Sequence, residues 1–108
     1  MCGIAGFISN KPHSEEFLEE AVNKLDHRGP DSNGIYLSTD SCVGFAHTRL
    51  AIQDLSIFGN QPMNNYDNTL SIIFNGEIYN HFDLREKFFK NNQTFLGDSD
   101  TETILALY

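Results

Sequence analysis

Cys2 follows Met1 directly, in the run MCGIAGFIS. Removal of Met1 would give Cys2 a free α-amine beside its own thiol, and such groups titrate within about two units of neutral pH. The amine can then act as base for the side chain, directly or through a water, so no histidine partner is required. By itself the position says little, because a free cysteine is an ordinary small buried residue. Other residues give it a context. Asn75 and Gly76, in FNGEIYN, close an apolar run. A side-chain amide and a backbone N–H at a strand end can converge as an oxyanion hole for acyl transfer, and the same pair also makes an ordinary Asn-Gly turn. Arg49, in HTRLAI, comes late in a strand of small and apolar residues. An inward guanidinium there needs a carboxylate, which a substrate could supply. Glu77 and Asp100 add acceptors for an ammonium, although Asp100 reads equally well as a helix N-terminal acid. Together these residues suggest a site for a zwitterionic amino acid whose side-chain carbonyl is attacked by Cys2.

The elements that must position them are legible in outline. Residues 2–8 read as a buried strand with glycines where another backbone or a ligand comes close. Ser14 can cap an amphipathic helix with Phe17, Leu18, Ala21, Val22 and Leu25 on one stripe and Glu15 and Glu16 in its first turn. Gly29 and Pro30 of HRGPD then stop it. Two strands follow around Thr39-Asp40-Ser41. In the second, bulky Val43, Phe45 and His47 alternate with small Cys42, Gly44 and Ala46, as packing against a second sheet would require. SIFGNQPMNNYDN predicts a polar loop that resists regular pairing, leading into a strand over residues 69–75. Asn80 can cap a helix carrying Leu84, Phe88 and Phe89, a link NNQTFLGD follows, and Ser99 with Glu102 makes a capping box for a last helix. Strands come first and mixed elements later, without regular βαβ alternation, so the expected class is α+β.

At 108 residues the chain predicts one domain, or a piece of one. The last helix ends mid-stripe without a cap, as in a chain cut short. Seven basic against fifteen acidic residues leave a formal charge of −8, which argues against nucleic acid and anionic membrane surfaces as partners. No apolar run approaches the roughly 20 residues of a membrane span, and the N-terminus lacks a basic signal-peptide region, so a cytoplasmic location is expected. Cys2 and Cys42 are too few for a disulfide scaffold. With the four histidines they fit no zinc-ligand spacing, so no metal site is expected.

The successive signatures MCGIAGF, HRGPD, TRLAIQDLS, GNQPM, FNGEIYN and SDTETILALY resemble the class II (N-terminal nucleophile) glutamine amidotransferase domain of glutamine-hydrolysing asparagine synthetases. The resemblance runs over nearly the whole chain in the family's order. It implies a four-layer αββα Ntn-hydrolase sandwich of two mainly antiparallel sheets, here partial across residues 1–108, with a C-terminal ATP-pyrophosphatase (synthetase) domain absent. Such a fragment is expected to fold poorly or show little activity alone. By the resemblance Cys2 is the nucleophile that forms a glutamyl thioester, Asn75 and Gly76 form the oxyanion hole, and Arg49 binds the glutamine α-carboxylate. Glu77 and Asp100 hold the α-amino group, and Leu50, Ala51, Ile52 and Gln53 line the pocket with backbone groups. Ala51 and Gln53 depart from the Ser and Ile common in the family, which puts their side-chain contacts in question. HRGPD matches a loop near the site with no assigned step. L-glutamine is the implied partner together with the synthetase domain, and a homodimer is compatible. No cofactor is implied for this portion; ATP and magnesium belong to the missing domain. Two readings of other kinds stand beside this one: an amidotransferase serving a sugar or another carboxylate, and a non-catalytic glutamine-binding module.

Overall fold

A computed structural model of the chain describes residues 1–90 and 93–108. Three strands, β1 (Gly3–Ile8), β2 (Ser32–Leu37) and β3 (Val43–Arg49), form an antiparallel sheet with β3 in the centre. Its register pairs Ala46 of β3 with Ala5 of β1 and Ile35 of β2, so all three point to one face. Helix α1 (Glu16–Leu25) lies on that face. Leu18, Val22 and Ala46 make the buried cluster there, with Ala5, Phe7, Ala21, Ile35 and Leu37 packed around it. The alternation read along β3 is therefore real, but its small face meets a helix rather than a second sheet. A helix needs shallow seats between its own side chains, and Gly44 and Ala46 supply them. Thr48 Oγ1 donates to the Leu25 carbonyl at 3.0 Å and ties the end of α1 to β3.

The other face of the sheet carries Ile4, Tyr36, Phe45, His47 and Arg49 by the same register. It is covered unevenly. His47 is fully buried, whereas Ile8, at the far end of β1, is 86% exposed, so β1 is not the wholly buried strand its composition predicts. Over this face comes a second, two-stranded antiparallel sheet, β4 (Met63–Asn64) and β5 (Ser71–Ile72). Close approach between the two sheets' segments is enforced at Gly34, where a Cβ would stand 2.5 Å from the Gln61 carbonyl oxygen. The predicted loop thus contains a strand, and the strand predicted over residues 69–75 shrinks to two residues. Its later part leaves the ladder because the Phe74 N–H donates instead to the Gln61 side chain, at 2.5 Å.

Helix α2 (His81–Phe89) packs against α3 (Asp100–Leu107), and α3 rests on β4. The order of layers is helix, sheet, sheet, helices, an α+β architecture that fits the αββα expectation. Capping follows the sequence in part. Ser99 accepts from the Thr101 N–H at 3.1 Å, but Glu102 turns away from the box to accept from the Leu96 and Gly97 N–H groups at 2.7 and 3.0 Å. Ser14 does not cap α1: the boundary residue is Glu15, in helical conformation. Asn80 stands at the start of α2 without a side-chain cap bond, and the buried residue of that helix is His81, while Phe88 is 56% exposed. The link predicted before α3 begins in Asn91 and Asn92, which lie outside the described residues.

Candidate active site

A cavity of about 260 Å³ opens where the edge of β1, the end of β3, the segment after β5 and the start of α3 meet. Cys2, Arg49, Asn75, Gly76, Glu77 and Asp100 all line it, joined by Leu50, Ile52 and Gln53. The volume suits a metabolite smaller than a drug-sized ligand. Ala51 is not among the lining residues, because its N–H donates to the Asp31 carboxylate at 2.8 Å and the peptide is held away.

The Cys2 thiol is half-buried against Leu50: its Sγ receives the Leu50 N–H at 3.4 Å and lies 3.7 Å from the Leu50 carbonyl. Its own carbonyl accepts from Arg28 Nε at 3.2 Å. HRGPD, which the sequence left without a role, therefore clamps the site from behind. Arg28 fixes the Cys2 backbone, Asp31 fixes Ala51, and Asp31 N–H donates to the Arg49 carbonyl at 3.0 Å. Gly29 is needed for this closeness, since a Cβ there would stand 2.5 Å from the Thr48 carbonyl. Met1 is 73% exposed and stands at the cavity's edge.

Arg49 is 8% exposed and has no carboxylate partner among the described residues. Nη1 donates to the Ser56 carbonyl at 2.7 Å and to Asn60 Oδ1 at 2.8 Å, and Nη2 to the Asp54 carbonyl. Three of the five guanidinium N–H groups are thereby used on neutral acceptors. The charge itself is left for an anion in the cavity. Gly59 backs the guanidinium, where a Cβ would meet Nη2 and Cζ.

Three carboxylates line the same cavity. Asp54 is spent internally, accepting from the Ser56 and Asp98 N–H groups at 2.7 and 2.9 Å. Burial alone would raise its pKa, but the Ser56 and Asp98 bonds and the nearby Arg49 charge outweigh that and hold the carboxyl below its ordinary range. Asp100 is buried at the N-terminus of α3 and uses one oxygen on the Ile78 N–H at 2.8 Å. Glu77 receives Gln53 Nε2 at 2.8 Å on one oxygen. Each of the latter two keeps an oxygen for a cation. Gln53, one of the two departures noted in the sequence, thus spends its side-chain amide on Glu77.

Among the described residues no hydrogen bond engages the Asn75 side chain or the Gly76 N–H. Both residues line the cavity a few positions after the end of β5, with these donors unspent. The chain on either side of Asp100 is held by Arg85 of α2, whose guanidinium donates to Thr103 Oγ1, the Gly97 carbonyl and the Ser99 carbonyl at 2.6, 2.8 and 2.6 Å. No group of three or more His, Cys, Asp or Glu able to hold a metal occurs among the described residues, and no described helix is long and apolar enough to cross a membrane.

Sheet, thiol and lining groups define a domain in which a cysteine at the chain's start opens onto a charged, amino-acid-sized cavity. The chain belongs to the glutamine amidotransferase domain family, whose pattern matches residues 1–108. It is 43% identical over 113 residues to asparagine synthetase [glutamine-hydrolyzing] 1 of Bacillus subtilis and 44% over 111 residues to asparagine synthetase [glutamine-hydrolyzing] 2 of Arabidopsis thaliana. To amidase chyE of Penicillium rubens it is 38% identical over 122 residues. All of this chain is covered in each case, and it spans 17%, 18% and 18% of those relatives' lengths.

Proposed function

We propose that the chain is the glutaminase half of a glutamine-dependent synthetase, hydrolysing L-glutamine to L-glutamate and ammonia through a thioester on Cys2. The observation that carries this reading is the opening of the Cys2 thiol onto one cavity with Arg49, the Asn75-Gly76 donors, Glu77 and Asp100. After removal of Met1, the Cys2 amine takes the thiol proton and Sγ attacks the glutamine side-chain carbonyl carbon. The negative oxygen of the tetrahedral adduct is met by the Asn75 amide and the Gly76 N–H. Collapse breaks the C–N bond, the amine returns the proton to the leaving group, and ammonia departs. Water then attacks the thioester, the thiol is released and glutamate leaves. Arg49 holds the α-carboxylate of the substrate, and Glu77 and Asp100 hold its ammonium, so a simple amide without those charges is excluded.

The names of the relatives support an aspartate acceptor for the ammonia, amidated at a synthetase domain that would bind ATP and magnesium. A relative named as an amidase supports a second reading for the acceptor alone, with the same glutaminase step feeding another molecule. A reducing cytoplasmic setting, in which Cys2 stays a thiol, fits both.

Mass spectrometry of the intact protein should find a chain beginning at Cys2. An electrophilic glutamine analogue should add once, at Cys2, and glutamine turnover and labelling should both vanish in Cys2→Ala. Retained Met1 with no adduct on a folded sample would sink the reading in favour of a binding module.

A further inference from the structure

Gln61, within GNQPM, has no part in the chemistry proposed above, yet it is 8% exposed and both ends of its amide are engaged inside the site. Its Oε1 accepts from the Phe74 N–H at 2.5 Å, and its Nε2 donates to Thr101 Oγ1 at 3.1 Å. Phe74 immediately precedes Asn75 and Gly76. Thr101 immediately follows Asp100. Gln61, Phe74 and Thr101 all line the cavity. The backbone of Gln61 is itself seated against Gly34 of the three-stranded sheet, the sheet that also carries β1, which Cys2 immediately precedes.

We infer that Gln61 is a positioning residue of the glutaminase site, holding the oxyanion donors and the ammonium-binding start of α3 in one register relative to the thiol. The inference rests on the glutaminase reading proposed above. Physically, the Gln61 side-chain oxygen Oε1 takes the place of a strand partner for Phe74, so the chain departs from β5 with its next peptide turned toward the cavity. An amide is suited to the position because one end accepts from a fixed N–H while the other donates to a hydroxyl that can rotate. A buried N–H without that acceptor would seek another partner and carry Asn75 and Gly76 with it.

The test compares the intact protein with Gln61→Leu and Gln61→Glu, scaling rates to the fraction of Cys2 that an electrophilic glutamine analogue labels. Gln61→Leu should lower kcat per labelled site about tenfold, the size expected for one to two lost neutral hydrogen bonds, with a smaller change in KM. Gln61→Glu can keep both contacts, since the Thr101 hydroxyl can turn to donate. Burial raises the pKa of the introduced carboxyl. Below that pKa it mimics the amide; above it, a negative charge opposes the oxyanion. The ratio of its kcat to that of the wild type should therefore fall as pH rises through that pKa, a readout that a general loss of folding would not give once rates are scaled to labelled Cys2. A Gln61→Leu protein with kcat per labelled site within twofold of wild type overturns the role. Should that variant fail to fold, a Gln61→Glu profile parallel to wild type overturns it equally. A wild type that neither labels nor turns over glutamine removes the glutaminase reading, and this role with it.

Discussion

Replacing Arg49 by lysine keeps the charge and removes the fork, and the structure says what that costs. The guanidinium spans three acceptors, the carbonyls of Ser56 and Asp54 and Asn60 Oδ1, from two different nitrogens. One ammonium nitrogen cannot stand in both places. It leaves at least the buried Asp54 carbonyl without a donor, and an unsatisfied buried acceptor costs about 1–3 kcal/mol. Adding the loss of one partly exposed bond brings the expected fall in stability for Arg49→Lys to about 2–4 kcal/mol. That is a large share of the roughly 5–15 kcal/mol that holds a domain together. The two guanidinium N–H groups still free for a ligand are lost as well, so KM for glutamine should rise about tenfold or more with kcat at saturation changed less than about threefold. Denaturant unfolding of the intact protein should show a lower midpoint at unchanged slope, and steady-state glutaminase assays should show the KM effect. Stability within about 0.5 kcal/mol of wild type together with an unchanged KM would refute both the fork and its exposure to substrate.

Two further outcomes follow from the packing. Gly44→Ala places a methyl against Phe7 and Leu18, with the Phe7 Cζ 2.7 Å and the Leu18 Cδ1 3.1 Å from the new carbon; overpacking of this kind should cost about 1–3 kcal/mol, read as a lower melting temperature. His47 is fully buried, and among the described residues neither of its ring nitrogens is hydrogen-bonded. Burial, with the Arg49 charge, pulls its pKa below the ordinary 6.5 despite an opposing effect of the Phe74 backbone. The unfolded chain then binds the extra proton first, so stability is lost as pH falls below about 6.5 and regained as it rises. His47→Gln should flatten that part of a plot of melting temperature against pH, and an unchanged slope would show that other groups carry it; His81, also lowered by burial, is the control.

What the sequence disclosed and what it hid divide along the range of the interactions. The stripe of α1, the hairpin of β2 and β3, and the Ser99 cap rest on neighbours within a few residues, and their spacing is visible in the chain. So is the grouping of Cys2, Arg49, Asn75, Gly76, Glu77 and Asp100, once motifs rather than spacing are read. Hidden were contacts whose second partner is distant and whose first is ordinary. Arg28 acts on a backbone carbonyl 26 residues away, Gln61 on a backbone N–H 13 residues away, and Gln53 on Glu77 24 residues away. A backbone group has no signature in a sequence. For the same reason the strand expected through Asn75 ended early: its residue types favour pairing, but Gln61 had taken the donor.

Cys2 is seated by its carbonyl, through Arg28, and by its thiol, through the Leu50 peptide; neither bond involves Met1. Both bonds are therefore in place with Met1 still attached. Under the proposed mechanism, loss of Met1 would add a free amine beside the sulfur while leaving both of these bonds in place, so the step that activates the thiol is distinct from the one that seats it. Folding and activation become separable in time. On that mechanism a newly made chain would reach its final geometry before it acquired the base.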